Sequence, residues 1–470
     1  MGGGPNGLTA AARLALAGAD VRVFEARQTI GGASRSLDVF GNNSVVDAGA
    51  AAHPTGVISP AFRKLGLDRF GLEWIHPTYP MAHPFTNAES VFLHRDLHET
   101  LAQFTAADQK TWKWLHGPLI REPDKIASHV FQPLTGPPAD LFWMAKFGAR
   151  AVPSAWWLAQ KLLEDDRARA LFLGSAAHSM VSPHLPFTGA VGVLFGGLGM
   201  TSGWPVAKGG SQAIVNALAE VIDAAGGAIH AQRLVTDLAD LPAADATILN
   251  LTPKQVLQLR NVPLTALQRR SLVRWKYGSA ASKVDFLLSG PVPWADPRTQ
   301  EAGTVHLIGE PRNIVAAERA AFDGRRPHPP FIMVGQQQGA DTDRASGDGH
   351  FVLWTYAHVS HGESVPVARV IAREIERYAP GFTQRIIDHR EMMPQQLQEW
   401  NPNLVGGDIG GGSLAGRQQF FRPLPSFTPY RLTKKRLYVA SASAPPGGGV
   451  HGMAGWNAAG SLLKDFGELG

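Results

Sequence analysis

Three glycines at the start of the chain have the spacing of a nucleotide-binding loop. Gly2, Gly4 and Gly7 read G-x-G-x-x-G, and an apolar helical pattern follows over residues 8–17. In such a loop the first glycine permits a tight turn, the second lets the backbone approach a pyrophosphate, and the third lets a helix pack closely on a strand. Glu25 ends the next apolar strand, where a carboxylate can hold ribose hydroxyls. Loop, helix, strand and acid in this order predict a dinucleotide site.

The strand that should precede the glycine loop is lacking. Such a loop normally follows a buried strand of about 5–6 residues, whereas only Met1 precedes Gly2 in this chain. We therefore expect one of three arrangements: a start upstream of this one, another segment in the place of the strand, or a weakened site.

Composition narrows the class of protein. The chain has 470 residues, of which 44% are hydrophobic and 18% are charged, as in a globular protein of more than one domain. The net charge of +5 comes without a Lys/Arg-rich run, so we expect no nucleic-acid partner. The absence of cysteine excludes disulfides, iron–sulfur clusters and Cys-ligated zinc. The histidines show no metal-ligand spacing and no secretory signal precedes the loop, so we expect no metal and a cytoplasmic location.

The elements that must position a nucleotide fall in three separated segments. Strand and helix patterns alternate in residues 1–78, 203–275 and 425–470, which we assign to one nucleotide-binding domain. We assign residues 79–202, rich in aromatics and prolines, and residues 276–424, rich in strand-like runs, to a substrate domain. The sequence therefore predicts an α/β protein with a Rossmann-like domain assembled from three segments. The inserted substrate domain is predicted to be α+β, with a mixed antiparallel sheet plus helices.

One segment of the predicted substrate domain, residues 141–163, combines apolar, aromatic and basic side chains at helical spacing. A helix of this composition can lie in a membrane interface. It can equally be a helix packed on its own domain, and both interpretations stay open. The side chains concerned are Phe142, Trp143, Lys146, Phe147, Arg150, Trp156, Trp157 and Lys161.

Further motifs along the chain carry a family resemblance. They are Gly31-Gly32, Asp47-Ala48-Gly49 with His53-Pro54, Gly203-Trp204-Pro205, the runs 208–212 and 401–408, and the ending from Pro445 to Met453. With these motifs the chain resembles the phytoene dehydrogenase-related flavoproteins of the flavin amine oxidase superfamily. The branch it most resembles includes the pyridine nucleotide-disulphide oxidoreductase domain-containing proteins, and the resemblance covers nearly the whole chain. Without cysteine, however, disulphide reductase chemistry is excluded.

The resemblance implies a non-covalently bound FAD. Gly31 and Gly32 would run beside the pyrophosphate, Val235 would meet the adenine, and Thr252 would lie near the ribityl phosphate. Core packing and strand-end packing explain Val235 and Thr252 equally well. The helix after Val450 would direct its positive end at the flavin ring. The residues assigned to FAD are Gly2, Gly4, Pro5, Asn6, Gly7, Glu25, Ala26, Arg27, Gly31, Gly32, Ala33, Ser34, Val235, Thr252, Gly448, Gly449, Val450, His451 and Met453.

The resemblance also implies catalytic residues. Lys283 lies in a strand-like run, and in amine-oxidase relatives a lysine at a similar place holds a water near flavin N5. Otherwise it is a solvent-facing lysine on an alternating strand. His451 lies in the C-terminal flavin motif and can exchange protons near neutral pH. His53 and Trp456 are assigned to the substrate lining, although His53 can also be a helix or loop anchor.

These features predict an FAD-dependent oxidoreductase that transfers a hydride from a small hydrophobic substrate to flavin N5. The resemblance favours C–C desaturation, and the aromatic, Pro- and Gly-rich region 80–205 suggests an apolar tunnel. Amine oxidation is the alternative, with Trp456 as one aromatic wall. A protein of another class, which binds flavin or has a structural role with little turnover, also stays open because the first strand is missing. No second dinucleotide fingerprint occurs, so we expect no separate NAD(P)H domain. The electron acceptor and the oligomeric state stay open.

Overall fold

A computed structural model describes residues 1–86, 89–134, 136, 139–433 and 436–467 of the protein. Parts of the predicted segments 79–202 and 425–470 lie outside these described residues. The helices are α1 (Pro5–Leu16), α2 (Pro60–Leu65), α3 (Leu97–Leu101), α4 (Ala106–Arg121), α5 (Pro123–Val130), α6 (Leu141–Ala151), α7 (Ala155–Leu162), α8 (Asp166–Ala177), α9 (Thr188–Gly199), α10 (Gln212–Ala224), α11 (Pro253–Gln258), α12 (Ala266–Val273), α13 (Pro311–Phe322), α14 (Gln337–Ala340), α15 (Ala368–Tyr378), α16 (Phe382–Arg385), α17 (Pro394–Trp400) and α18 (Met453–Phe466).

In the described part of the chain, the strands form one seven-stranded sheet, one three-stranded sheet and three two-stranded sheets. They are β1 (Arg22–Phe24), β2 (Ser36–Leu37), β3 (Val46–Asp47), β4 (Trp74–Ile75), β5 (Tyr79–His83), β6 (Val91–Leu93), β7 (Val206–Ala207), β8 (Ala228–His230), β9 (Thr247–Leu249), β10 (Ala280–Leu288), β11 (Ala302–Leu307), β12 (Ile332–Gly335), β13 (Phe351–Val359), β14 (Ile386–Met392), β15 (Arg431–Thr433) and β16 (Leu437–Val439).

The glycine loop lies between two small sheets, one formed by β1 and β8 and the other by β9, β16 and β15. The Met1 ammonium donates to the carbonyl of Ile248 at 2.8 Å, and the N–H of Asn250 donates to the carbonyl of Met1 at 2.9 Å. On the other side, the N–H of Gly2 donates to the carbonyl of Phe24 at 2.8 Å. Met1 and Gly2 therefore hold the place of the expected first strand. Among the described residues no other strand joins β1 to β9.

Helix α1 starts directly after the loop, since Pro5 at its first position has a backbone angle that suits a helix start. Both sides of α1 are buried, and its neighbours are α10 and α18. Gly455 of α18 lies against the carbonyl of Asn6, where any side chain would collide. The contact between α1 and α18 is therefore a close packing of backbones, which brings the two ends of the chain together.

The large sheet has seven strands in the order β14-β10-β13-β12-β11-β5-β6. Strands β11 and β5 run parallel, and the other neighbouring pairs are antiparallel. One face packs on α15 through residues such as Ile371 and Ile375. The opposite face packs on α8, α9 and α13 through residues such as Met81 and Met333. The α/β fold class predicted from the sequence is confirmed, whereas the domain boundaries stay a prediction.

Candidate functional site

The glycine loop and the turn after β1 form a cradle that leaves no room for side chains. A Cβ at Gly7 would collide with the carbonyl of Gly2, and a Cβ at Gly32 would lie 3.1 Å from the Cα of Gly4. Gly31, at φ 129°, donates its N–H to the carbonyl of Gly3 at 2.8 Å and ties the two segments together. Only glycine accepts that backbone angle without strain. The structure thus brings the loop beside the predicted pair Gly31 and Gly32.

Glu25 is fixed at the edge of this cradle. Its carboxylate accepts the N–H of Gly3 at 2.7 Å and the N–H of Arg27 at 2.8 Å, with Ala26 between the two contacts. Each carboxylate oxygen keeps a further acceptor position. Two backbone N–H groups thus fix the carboxylate of Glu25, and its contact with ribose hydroxyls stays a prediction.

The residues just before Val235 pair with the backbone around Glu25. The N–H of Arg233 donates to the carbonyl of Glu25 at 2.8 Å, and the N–H of Gln232 donates to the carbonyl of Arg27 at 2.9 Å. Val235 itself is buried in an apolar cluster with Leu249. The place suits an adenine contact and suits core packing equally, so the adenine contact stays a prediction.

Two positive helix ends meet at the cradle. A Cβ at Gly455, in the first turn of α18, would collide with the carbonyl of Asn6 in the first turn of α1, so the first turns of the two helices are adjacent. The N-terminus of a helix carries partial positive charge and N–H groups without intrahelical partners. This arrangement favours a negatively charged group beside the loop.

Buried polar atoms beside the cradle give an independent test of whether a pyrophosphate-containing cofactor fits. Asn6 Oδ1 in the first turn of α1 and Ser34 Oγ in the short turn Gly32–Ser34 are buried and have no protein partner. Buried polar atoms are normally paired, so such atoms indicate water or a ligand. Ala33 lies in the same turn, where its carbonyl leaves no room for a side chain at Gly49. The site therefore fits FAD: its glycines leave no space for a Cβ, its buried polar atoms lack protein partners, and two helices begin beside it.

The C-terminal glycines pass close to another loop of the chain. A Cβ at Gly448 would lie 3.1 Å from the Cα of Gly410. Gly449 and Val450 then lead to Met453, which begins α18. The segment has the glycines that the resemblance requires, and the contact of Gly449 with a flavin stays a prediction.

His451 has a clear structural role. Its Nδ1 accepts the N–H of Met453 at 3.1 Å, and its carbonyl accepts the hydroxyl of Ser59 at 2.6 Å. Burial lowers the pKa of His451 to about 4, so the ring is neutral near pH 7. The contacts make His451 a cap of α18, and its predicted proton exchange remains untested.

Lys283 lies on the large sheet and is buried, at 3% exposure, so it is not the solvent-facing lysine considered as an alternative. Its ammonium donates to the carboxylate of Asp285, also buried, and lies 5.8 Å from the ring centre of Trp354. The indole N–H of Trp354 donates to the carbonyl of Asp47 at 2.9 Å. Leu287 on the same strand face packs against Val46. Lys283 therefore faces the junction between the sheet and the Rossmann-like segments.

The same junction holds an ionic network that the sequence did not reveal. Arg344, 1% exposed, donates to Asp47 at 2.6 Å and to Asp341 at 3.0 Å. Asp47 also accepts the N–H of Ser211 and the hydroxyl of Ser36, each at 2.7 Å. Asp47 belongs to a quoted motif, but Arg344 and Ser211 lie more than 150 residues away from it in the sequence, and no local pattern marks them.

His53 and Trp456 have surroundings that differ from those of a substrate lining. The Nε2 of His53 pairs with the hydroxyl of Ser211 at 2.8 Å, and burial lowers the pKa of His53 to about 4. These contacts describe a loop anchor, the other interpretation open for His53. The guanidinium of Arg13 lies 4.2 Å from the ring centre of Trp456, and the ammonium of Lys64 lies 5.6 Å from it. A ring between two cations does not favour an apolar wall.

Thr252 lies at the start of α11. Its hydroxyl pairs with that of Tyr277 at 2.9 Å and with that of Ser443 at 3.0 Å. Its N–H donates to Asn403 Oδ1 at 2.9 Å. The structure thus joins three distant segments at Thr252, which supports strand-end packing and leaves the contact with a ribityl phosphate a prediction.

Among the described residues no group of three or more His, Asp or Glu side chains is arranged to hold a metal.

Comparison with known proteins agrees with the geometry of the loop. Residues 1–65 match the family model described as NAD(P)-binding Rossmann-like domain. The chain is 25% identical to pyridine nucleotide-disulfide oxidoreductase domain-containing protein 2 of Rattus norvegicus, over 99% of this chain and 93% of that protein. The mouse (Mus musculus) protein of the same name is 24% identical over the same shares.

Solved structures share the fold at low sequence identity. An oxidoreductase from Methanosarcina mazei matches with a TM-score of 0.62 at 15% identity, over 98% of both chains. Putrescine oxidase bound to putrescine matches with a TM-score of 0.62 at 19% identity, over 98% of both chains. Cyclohexylamine oxidase from Brevibacterium oxydans matches with a TM-score of 0.61 at 15% identity, over 99% of this chain and 98% of that one.

The chain shares the fold of amine oxidases. Together with the Rossmann-like match and the two curated relatives, these findings support an oxidoreductase. The narrower resemblance to phytoene dehydrogenase-related proteins remains a prediction.

Proposed function

We propose that the protein is an FAD-dependent oxidoreductase that removes a hydride from a hydrophobic substrate, with C–C desaturation as its reaction. The observation that carries the proposal is the glycine cradle, in which Gly4 and Gly32 approach too closely for side chains, beside Glu25 and two helix ends. The cradle would hold the pyrophosphate, Glu25 the ribose and Val235 the adenine. Bound FAD would supply the acceptor for the hydride.

Lys283 would act at the reacting end of the substrate. An ammonium has three donors, and Asp285 takes one of them. The remaining donors can hold a water or a polar group of the substrate in place. Because Lys283 and Asp285 are both buried, bulk water is excluded from their surroundings and their electrostatic interactions are stronger there.

A hydrophobic substrate is favoured by a half-buried apolar stripe on α9. Val191, Leu194 and Phe195 follow helical spacing on one side of this helix and are only partly buried. Leu194 and Phe195 pack against the same buried core as Tyr356, which extends from the face of the sheet that carries Lys283. Large apolar side chains that remain accessible within a packed domain are typical of a binding site for an apolar ligand.

Amine oxidation is the second candidate, because putrescine oxidase and cyclohexylamine oxidase share the fold. Trp456 does not provide the aromatic wall expected for it, since the cations of Arg13 and Lys64 flank its ring. A flavin-binding protein with little turnover is the third candidate.

Anaerobic reduction of the bound flavin separates the three candidates. The protein loaded with FAD is mixed with an isoprenoid hydrocarbon or with a primary amine, and the visible absorption is followed. We expect the hydrocarbon to bleach the flavin. Bleaching by the amine alone would favour amine oxidation, and bleaching by neither, in a protein that holds FAD, would favour the binding protein.

We also propose that α6 and the start of α7 contact an anionic membrane surface. Leu141 and Phe142 are 74% and 71% exposed, and Trp157 is 49% exposed. Residues 141–163 contain no Asp or Glu, and the exposed Lys146 and Lys161 lie in the same segment. Trp143 and Arg150, included in the sequence pattern, are buried and belong to the interior. No helix in the described part of the chain has the length and apolar character needed to cross a membrane.

A further inference from the structure

Two histidines pair on the face of the large sheet that carries Lys283. His306 lies on β11 between Val305 and Leu307, which pack toward α15, so its side chain points to the opposite face. There its Nε2 lies 3.3 Å from the Nε2 of His178, the residue directly after α8. The pair is set among aromatic rings, with Phe331 5.3 Å from His306 and Trp204 5.1 Å from His178.

The pair lies in one row with the proposed catalytic lysine. In the register of the sheet, His306 is opposite Met333, Met333 is opposite Tyr356, and Tyr356 is opposite Lys283. Three steps between neighbouring strands, at about 4.8 Å each, separate His306 from Lys283 by roughly 14 Å. This separation is within the length of a single elongated substrate.

The packing of α8 fixes the proton on His306. A Cβ at Gly174 would lie 2.5 Å from His306 Nδ1, so this nitrogen faces the backbone of α8, and it has no hydrogen-bond partner. A proton on Nδ1 would be a buried donor directed at a methylene group, which costs the desolvation free energy of that donor. An unprotonated Nδ1 can instead accept a weak Cα–H contact. His306 therefore carries its proton on Nε2.

The proton on His306 in turn fixes the proton on His178. Since His306 Nε2–H donates across the 3.3 Å contact, His178 Nε2 must be the acceptor. Burial among the rings lowers the pKa of His178 to about 3 and lowers that of His306 well below its ordinary value, so both rings are neutral near pH 7. A neutral imidazole with an unprotonated Nε2 carries its hydrogen on Nδ1.

His178 lies beside the apolar stripe on α9. Its ring stacks on Phe195 at 4.8 Å between centroids and 11° between planes, and the residue is only partly buried. Within the described residues, His178 Nδ1 makes no hydrogen bond to the protein and is not sealed in the interior. A neutral N–H donor therefore stands at the end of a half-buried apolar surface.

We propose that His178 Nδ1–H binds an acceptor oxygen of the substrate, such as a carbonyl, and so sets the position of an apolar chain whose other end reacts near Lys283. The proposal rests on the proposed function for its apolar substrate. It makes His178 a specificity-determining residue and His306 a positioning residue that acts through it. An ammonium group, which has donors and no acceptor, is not recognised by this N–H.

Binding of two matched ligands tests the proposal. The protein loaded with FAD is titrated with 2-undecanone or with 2-aminoundecane while tryptophan fluorescence is followed. We expect His178→Phe to weaken binding of the ketone roughly three- to tenfold, the range for one neutral hydrogen bond. We expect His178→Asn, which keeps an N–H donor near the same place, to restore most of it. Neither variant should change binding of the amine, and His184→Phe, at an exposed histidine nearby, should change neither ligand.

The outcomes separate this inference from the proposed function. Equal binding of the ketone by the wild-type protein and His178→Phe would overturn the inference and leave the apolar substrate standing. Failure of both ligands to bind the wild-type protein would overturn the apolar substrate and, with it, the ligand assigned to His178.

Nitrogen-15 NMR of histidine-labelled protein tests the tautomers without any ligand. The signals are assigned from the spectra of His178→Phe and His306→Phe. We expect His178 to carry its hydrogen on Nδ1 and His306 on Nε2. A hydrogen on Nε2 of His178 would overturn the inference even if a ketone binds.

Discussion

Lys283 and Asp285 form a buried ion pair on the sheet face that meets the Rossmann-like segments. Burial raises the pKa of Asp285, although the ammonium of Lys283 opposes the rise. The sequence marked Lys283 only through a family resemblance. It gave no sign that Asp285, two residues along the strand, neutralises it, because the pair depends on which strand face is buried.

The first prediction concerns this pair. We expect Lys283→Met to lower the free energy of unfolding by about 3–5 kcal/mol, because a buried carboxylate loses its partner. The double variant with Asp285→Leu should regain most of that stability, since no charge is then left buried. Urea unfolding measures the stability of each variant. We also expect the substrate to reduce the bound flavin more slowly in both variants, as anaerobic stopped-flow absorption would show. If the double variant reduced flavin at the wild-type rate, Lys283 would have a structural role only.

His178 and His306 show the limit of sequence reasoning at the residue scale. No local pattern in the sequence marks His178 as a member of a histidine pair. Its place opposite His306 depends on the packing of α8 against β11 and on Gly174, where the helix backbone lies against a ring. Contacts of this kind join residues more than 100 positions apart and leave no local pattern.

At the scale of elements, the order of loop, helix, strand and acid was predictable, because each part has a local signature. Helix α9 was harder to predict, since its own sequence is uncharged and rich in glycine. Its glycines are explained only by packing: a Cβ at Gly192 would lie 2.9 Å from the ring of Phe172, and one at Gly196 would lie 2.5 Å from the ring of His116. These glycines permit close packing of the helix, whereas a propensity scale counts each glycine against helix formation.

The second prediction concerns the place between β1 and β9. A fusion of five alternating apolar residues before Met1 would extend the two-residue bridge into a strand with partners on both sides. We expect the fusion to stabilise the protein by a few kcal/mol, at about 1 kcal/mol for each net hydrogen bond, and to tighten FAD binding. Thermal unfolding and flavin titration measure both effects. A Gly/Ser fusion of equal length is the control, and equal behaviour of the two fusions would contradict the expectation.

The third prediction concerns the surface of α6 and α7. We expect the protein to sediment with phosphatidylcholine vesicles that contain phosphatidylserine, and less with phosphatidylcholine alone, because Lys146 and Lys161 are exposed there. Phe142→Glu should abolish this binding, whereas Leu267→Glu, at a leucine 72% exposed on α12, should not. Equal loss in both variants would show that the binding is not specific to α6.

At the scale of the whole molecule, the fold holds several histidines neutral in its interior. Burial lowers the pKa of His53, His83, His116 and His451 to about 4 in each case, from an ordinary value of 6.5. The unfolded chain therefore binds more protons than the folded protein between these two values, and stability must fall as the pH falls through that window.

The fourth prediction follows from that difference. We expect the free energy of unfolding to decrease between about pH 7 and about pH 5 by about 1–2 kcal/mol for each such histidine, at 1.36 kcal/mol per pKa unit. Urea unfolding at the two pH values measures it. His83→Phe should lessen the decrease, while His184→Phe, at an exposed histidine, should leave it unchanged. Equal stability at both pH values would mean that these rings are protonated in the folded protein.

The α/β class of the molecule followed from the sequence, because strand and helix periodicities are local. The way the large sheet is assembled and joined to the Rossmann-like segments did not follow from the sequence. The seven-stranded sheet takes β5 and β6 from one part of the chain and β10 to β14 from another. The network of Arg344, Asp47 and Asp341 then joins this sheet to the Rossmann-like segments. Such long-range pairings are set by burial of whole faces, which the sequence shows only one element at a time.

The most direct test of the account is the visible absorption spectrum of the purified protein after incubation with FAD and removal of the free cofactor. We expect a bound-flavin spectrum for the wild-type protein. We expect none for Gly32→Val, whose side chain would enter the 3.1 Å approach to Gly4, with the circular dichroism of the fold retained. A wild-type protein that stays colourless, or a Gly32→Val variant that binds FAD equally well, would contradict the proposed cofactor site and the oxidoreductase mechanism built on it.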